Sequence, residues 1–570
     1  MTTNQNTAML VERVDDIPLL LTQITEMGIA ELLDAYFPTH NNWNGLSLGW
    51  TAAIWLSHIL SQADHRLNRV QDWVAKHIQT ISGVTGLNIR ALDFSDDRLA
   101  IILRYLNQDE SWQQYEQEQG KNLIRAYDLS TDIVRLDATT ASSHIEPGGI
   151  FQLGHSKDHR PDLAQLKIML ASLDPLGLPL ATQIVEGNQA DDPLYEPAIK
   201  LVRTTLNREG VLYVGDCKMA ANSIRASIEN ANDYYLMPLP ATIVSTEVLD
   251  NYLTPESRKT IEPIYRYNDH SNSQSEQIAE GFELTEINTG ETDNETIYWS
   301  ERRLVIRSYQ HAKAEEKSLY KRLKKAKFAI NDLIRPRSGY KCIRTLDSFW
   351  PAVNKILRRY NVEGLLEIKA FESNIERHCR SYGNKPARIE IQTVLNVELE
   401  DNKVALEITL KRLGWRVYAT NAPKDKLSLD DAVIAYREEY IIERNFGRLK
   451  GKPLSLTPMY LQRDDHATGL VRLLTIGLRV LTLLEFLVRS KLFETNTDVA
   501  GLYAGNPKRR TKRPTTEVLL GVFNYIDLVA INGTDGISYH LTTLSILQQD
   551  VLDLLGFSPT IYTQLSNQFS

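Results

Sequence analysis

Apolar residues recur at three- and four-residue spacing through Ile17–Leu33, Gly49–Leu60, Leu67–Ile81 and Leu99–Leu106, the period of amphipathic helices. Ser95, with Asp96 and Asp97 behind it, supplies a cap for the last of these. Residues 1–125 therefore read as a helical domain. Near residue 130 the period switches to that of strands. Ile133–Asp137 is a short apolar run ending in a carboxylate, and Lys167–Leu173 and Pro179–Val185 flank the turn Asp174-Pro175-Leu176-Gly177 as a hairpin. A helix over Leu194–Leu206 follows, then a second apolar run ending in a carboxylate, Val211–Asp216. A helix from Met219 to Asn230 and a strand from Tyr234 to Met237 complete the series. The order strand, hairpin, helix, strand, helix, strand predicts a mixed α/β sheet. In it the first and fourth strands lie side by side and present Asp137 and Asp216 together.

Between 245 and 425 this pattern breaks. Polar stretches (Asn268–Ser275, Asn288–Thr296) alternate with a basic helix over Lys317–Lys327, while Ile389–Val397, Lys403–Ile408 and Trp415–Thr420 alternate as antiparallel strands. The expectation is a β-rich insertion over 245–425. The catalytic body resumes over 426–495. There Ser428, with Asp431 three residues on, caps a helix that runs unbroken through Tyr436–Lys450. Helical spacing puts Tyr436, Glu439, Glu443 and Lys450 on one face, with Ile442, Phe446 and Leu449 as an apolar flank. The plain reading of that face is a solvated charged stripe. A long buried helix over Leu470–Leu492, a basic linker at 506–514 and a helical tail over 496–570 that includes Leu544–Leu555 complete the chain. The α/β core is thus read in two parts, 126–244 and 426–495.

Composition narrows the function classes. At 570 residues the chain exceeds a single core, and 42% hydrophobic with 24% charged residues describes an ordinary globular protein. Cys217, Cys342 and Cys379 are far apart, match no metal-ligand spacing and point to a reducing, intracellular setting. No signal peptide is apparent, and the longest apolar run, Leu470–Val488, is interrupted by Arg472 and Arg479, which argues against a membrane span. The net charge of −8 and pI near 5.9 argue against a nucleic-acid partner. The runs Lys317–Lys327 and Lys508–Arg513 restore the possibility locally, because attraction over about a Debye length depends on the nearby surface. No nucleophile–base pair or small-molecule fingerprint is present.

Two aspartates on neighbouring strands and a glutamate on a helix suit two divalent cations, and hard oxygen donors select Mg²⁺ or Mn²⁺. Such a pair serves in-line phosphoryl displacement. Asp174, Glu186, Asp191 and Asp192 sit in turns or after the hairpin and read as solvent-facing or structural.

Leu136-Asp137-Ala138-Thr139-Thr140, Gly154-His155-Ser156-Lys157-Asp158-His159-Arg160-Pro161-Asp162-Leu163, Gly187-Asn188 and Val214-Gly215-Asp216 together resemble DDE transposases of the insertion-sequence-4 superfamily. Within it the nearest likeness is to the insertion sequence 1634 family. Its third acid lies in a helix motif spaced Tyr-x2-Arg-x3-Glu-x6-Lys, which Tyr436, Glu443 and Lys450 fit, with Glu439 standing where the motif has arginine. The resemblance implies a ribonuclease-H-like core with a β-rich insertion, and Asp137, Asp216 and Glu443 as catalytic and metal-binding residues for two Mg²⁺ or Mn²⁺ ions. It implies cleavage at terminal inverted repeats and transfer of the 3′-hydroxyl end into target DNA by a homodimer. The amino-terminal helices would bind DNA ends or dimerise, and no membrane is involved; the setting is the bacterial cytoplasm and nucleoid. Tyr436 and Lys450 would contact DNA, as would Lys157, His159 and Arg160 in the loop after the first strand; Arg448 is grouped with them. Trp299, Trp350 and Trp415 are either core aromatics or platforms for a flipped base. Two alternatives stay open: a catalytically idle DNA-binding relative, motivated by Glu439, and a two-metal nuclease without strand transfer.

Overall fold

The computed structural model describes residues 9–266, 276–292, 295–335, 342–381, 383, 386–533 and 536–567. They fall into two compact units, Met1–Met237 with Ile287–Ser300 and Ala435–Ser570, and Pro238–Glu286 with Glu301–Ile434.

In the first unit seven helices occupy residues 17–126. The stretch expected as one helix over Ile17–Leu33 is two, Ile17–Glu26 and Ile29–Tyr36, because Gly28 takes a left-handed conformation (φ 63°) that ends one and begins the other. Likewise Leu67–Ile81 divides into Leu67–Ala75 and Ile78–Thr85. Ser95 sits at the N-cap of α1 (Asp96–Leu106), although its side chain makes no cap bond. A helix with no counterpart in the apolar pattern, α2 (Asp109–Ala126), follows. Its buried face mixes Trp112, Tyr115 and Leu123 with Glu116 and Gln119, which disguises the period.

The central sheet has β1 (Ile133–Ser143), β2 (Ala164–Leu173), β3 (Leu178–Glu186), β4 (Leu212–Gly215) and β5 (Tyr234–Pro238), side by side in the order β3-β2-β1-β4-β5. β1 runs antiparallel to β2 and parallel to β4, with Leu136 opposite Gly215. The first and fourth strands are neighbours, as the element order predicts. β2 is buried along its whole length, the burial a central strand covered on both faces requires. Helices α3 (Tyr195–Leu206) and α4 (Asn222–Asn230) make the crossovers before and after β4.

After α5 (Leu429–Arg437) and α6 (Tyr440–Lys450), the long helix α7 (Asp464–Glu494) runs through the core. Its Arg479 is fully buried and donates to Glu116 at 2.6 Å and to the Gln119 side-chain oxygen at 2.5 Å, which gives the buried Glu116 of α2 its counter-charge. Against α1 the two backbones nearly touch. A Cβ added at Gly469 would stand 2.1 Å from the Leu103 carbonyl oxygen, and a backbone atom cannot swing aside. Gly469→Ala is therefore expected to cost about 1–3 kcal/mol, read as a lowered urea midpoint. An unchanged midpoint would show that the helices are not this close. Among the described residues, no helix is long and apolar enough to cross a membrane.

The carboxyl-terminal region departs from the helical expectation. It includes the strands Asp527–Gly533 and Gly536–Leu541, and the first of these pairs with Met9–Arg13 near the amino terminus. The pairing joins segments at opposite ends of the chain, which a local periodicity does not reveal. Helices Ile546–Leu555 and Thr560–Asn567 close the chain.

The second unit is mixed α/β rather than largely β. Trp415–Thr420 pairs antiparallel with Arg302–Arg307, and Leu366–Cys379 with Arg388–Asp401 as a long hairpin. The basic segment belongs to helix Tyr309–Ile334, whose Leu319, Leu323, Ala326 and Ile330 form a core with Phe349 and Val353. Lys403–Ile408, expected as a strand, is part of helix Lys403–Arg412. The Asn402 side chain caps the Ala405 N–H, Glu407 pairs with Lys411 one turn on, and Leu406 and Leu410 pack on that core. Asn268–Ser275 lies outside the described residues. Residues 288–291 end the strand Glu276–Glu291 and Thr296 begins the strand Thr296–Ser308, and the Thr292 N–H donates to the Glu295 carbonyl.

Candidate active site

Asp137 lies in the middle of β1, and Asp216 directly follows β4. Because these strands are parallel neighbours, both carboxylates reach one small pocket lined also by Arg135, Leu136, Val214, Gly215, Tyr436, Glu439 and Ile442. It holds about 10 Å³ of accessible space, room for about one water-sized sphere. Burial pushes the Asp137 carboxyl up to about 6; Lys157 opposes this, whereas Asp216 and Glu439 reinforce it as like charges. Asp216 is held differently. Its Oδ1 accepts the Lys218 N–H at 2.8 Å, capping a short 3₁₀ turn, and the Tyr195 hydroxyl at 2.6 Å. Burial and the neighbouring carboxylates hold the Tyr195 phenol well above its ordinary value, so it remains a donor.

The expected unbroken helix through Tyr436–Lys450 is interrupted at Glu438–Glu439. Arg135, two residues before Asp137 and on the same face of β1, supplies the reason. Its Nε donates to both oxygens of Asp174, at 2.9 and 2.7 Å, and its Nη2 donates to the Ala435 carbonyl at 2.5 Å and stands 3.7 Å from Glu438. In a continuous α-helix the Ala435 carbonyl would accept the Glu439 N–H. That N–H turns instead to the Tyr436 carbonyl at 3.1 Å, and a new helix starts at Tyr440 with Glu439 at its N-cap. The offset leaves Tyr436, Glu439 and Ile442 on the pocket, while Glu443, one turn on, is exposed and does not line it.

The remaining candidates scatter. Lys157 reaches the Ala138 carbonyl at 2.5 Å, Asp137 at 3.5 Å and Asp191 at 3.3 Å; burial works against its charge, and these carboxylates with Asp216 more than offset it. Lys450 donates to Thr139 at 3.0 Å and to Asp158 at 2.6 Å. These two lysines therefore border the site, each with an internal carboxylate partner. His159 has a positive φ of 58°, and exposed Arg160 pairs with Asp162. Arg448 is only 4% exposed and is bound between Glu485 and Glu517, which removes it from any outer, DNA-facing surface. Its place on the apolar side of α6 is what the amphipathic phase dictates once the helix restarts at Tyr440.

Trp299 is buried with its indole N–H on the Tyr235 hydroxyl at 2.6 Å, a core role, and Trp415 packs edge-on against Phe282. Trp350 is 39% exposed. Of the acids read as turn residues, Asp174 is buried beneath Arg135, and Asp191 joins Lys167 (2.5 Å) to Lys157. Sequence reasoning did not find Arg135 or Tyr195. For Tyr195 no local signal exists, since its partner lies 21 residues away on another element.

Among the described residues no three His, Cys, Asp or Glu side chains stand close enough to hold a metal ion as they are placed. The donor set still fits a hard divalent cation in kind and charge. Asp137, Asp216 and Glu439 line one small pocket and offer hard oxygen donors; burial chiefly, with Asp216 and Glu439 adding to it, holds the Asp137 carboxyl up, a penalty on its charge that a bound divalent cation would relieve.

The family model described as "Transposase DDE domain" matches residues 128–478. Among solved structures the chain is similar to one described as "Cryo-EM structure of piggyBac transposase synaptic complex with hairpin DNA", with 8% identity and a TM-score of 0.34, covering 96% of this chain and 82% of that one. No curated protein matches.

Proposed function

The chain belongs to the transposase DDE domain family, and on that premise we propose that it cuts DNA at terminal inverted repeats and joins the exposed 3′-hydroxyl to target DNA, as a homodimer dependent on Mg²⁺ or Mn²⁺. The observation that carries this reading is the convergence of Asp137 and Asp216 from adjacent parallel strands on one water-sized, carboxylate-lined pocket. Asp137 and Asp216 would hold the divalent ions there, and such ions, when bound, supply activation of a water or 3′-hydroxyl and charge stabilisation of the leaving oxygen. Asp137 and Asp216 are the fixed ligands of the proposed site, both rooted in the sheet.

The third carboxylate comes from the stripe that begins at Tyr436. The motif spacing assigns it to Glu443, seven residues before Lys450; the pocket lining favours Glu439 as a second reading. Lys450 and Lys157, freed from Asp158 and Asp137 when DNA phosphate and cation arrive, would hold the strand, with His159, Arg160 and Tyr436 beside them. Separate Glu443→Gln and Glu439→Gln variants decide the ligand. The one that abolishes cleavage of an inverted-repeat duplex while binding persists is the third acid, and retained cleavage in both ends the three-carboxylate scheme. A strand-transfer assay with pre-cut ends separates a transposase from a nuclease.

Because Asp137 is raised to about 6, its charged form is lost as pH falls through that value. Mn²⁺ affinity is therefore expected to fall below about pH 6, as calorimetry would read. Affinity that is level across this range would remove Asp137 from the ligand set.

A further inference from the structure

We propose that Tyr195 is a positioning residue for Asp216, turning one carboxylate oxygen to the pocket and thereby setting the affinity of the site for divalent cations. This rests on the reading of Asp137 and Asp216 as metal ligands. Tyr195 opens α3, at the crossover between β3 and β4, and is 1% exposed. Its hydroxyl donates to Asp216 Oδ1 at 2.6 Å, and the same oxygen accepts the Lys218 N–H at 2.8 Å. The backbone bond alone leaves the carboxylate able to twist about its Cβ–Cγ bond. A second donor arriving from a different element restrains that torsion and directs Oδ2 away from both donors.

Both hydrogen-bond donors to Asp216 are uncharged groups. Other acids around the site form ion pairs: Asp137 and Asp191 with Lys157, and Asp174 with Arg135. The approach of the Tyr195 ring is itself built in. A Cβ at Gly215 would lie 3.1 Å from that ring and 2.9 Å from the Met219 sulfur, so the residue before Asp216 must be small for the phenol to reach it.

The test uses the full chain titrated with Mn²⁺ by calorimetry, without DNA, on the unsubstituted protein, Tyr195→Phe, Gly215→Ala and Asp216→Asn. Tyr195→Phe keeps the ring and its packing, and is expected to weaken Mn²⁺ binding by about 10–100-fold, the usual effect of losing a group that orients a ligand. Gly215→Ala keeps the hydroxyl but displaces the ring, and is expected to weaken binding in the same direction. Asp216→Asn is expected to abolish binding at the site. Unchanged affinity in both Tyr195→Phe and Gly215→Ala, with Asp216→Asn still defective, would overturn the positioning role while leaving the proposed site intact. Undiminished binding in Asp216→Asn would overturn the site and the positioning role together. A variant that does not fold is replaced in the comparison by the other, since the two act on opposite sides of the same contact.

Discussion

Asp137→Asn and Asp216→Asn are each expected to lower strand cleavage at inverted-repeat ends by about a thousandfold or more, with DNA binding retained. The expectation follows from placement. Asp137, mid-strand in β1, and Asp216, just after β4, both line one small pocket, and the removal of either takes away a carboxylate fixed by the sheet. Asparagine preserves the volume and one acceptor oxygen, and removes the charge and the second acceptor that would hold a divalent cation. Losses of this kind are not additive among groups that act as a unit, so the Asp137→Asn, Asp216→Asn double variant should be scarcely worse than either single one. A gel assay of labelled ends, paired with a mobility-shift titration, separates chemistry from binding. Cleavage within about tenfold of the unsubstituted rate in either variant would rule out the proposed chemistry.

The second large effect is on stability. Arg135→Ala is expected to cost about 3–5 kcal/mol, because it leaves the Asp174 carboxylate buried without its cation. Burial pushes Asp174 up to about 6 even with Arg135 beside it. Its folded value thus lies above its unfolded one, and this group's contribution is full below its ordinary value of 3.8 and lost as pH rises through about 6. The ionised pair is consequently a weak source of net stability; the loss on truncation comes from the orphaned charge. Replacing both partners, Arg135→Met with Asp174→Leu, should therefore recover most of the loss in urea denaturation followed at the first transition. The double replacement should not restore the break at Glu438–Glu439, because the Ala435 carbonyl would again be available to the Glu439 N–H. Slower hydrogen exchange at the Glu439 amide in that variant would register the repaired helix. Equal stability of Arg135→Ala and the unsubstituted protein would show that this contact does not anchor the helix break.

The elements of the central sheet were legible because each is a compact apolar run bounded by its own turn or crossover, although β1 runs on past Asp137 to Ser143. Asp137 and Asp216 were therefore found from the chain alone. The phase of Tyr436–Lys450 was legible only in part. The stripe of Tyr436, Glu439, Glu443 and Lys450 is real in spacing, yet an unbroken helix was the wrong frame for it. The agent of the break, Arg135, belongs to a strand 300 residues earlier. The same physics hid Arg448, whose charge suggested an outer face while Glu485 and Glu517 draw it inward. Lys403–Arg412 shows the reverse case, an alternating run overruled by a cap and by packing on Leu319 and its neighbours.

What the sequence determined by itself is a set of local choices: the strands and crossovers of the central sheet, the aspartates they carry, and the motifs that mark the family. Those follow from periodicity and turn chemistry within a few residues. Tertiary structure alone decided which acid faces the pocket, which lysines are already partnered, and which arginines are buried, because each depends on a charge brought close by folding from a distant part of the chain, where low dielectric makes the pairing count.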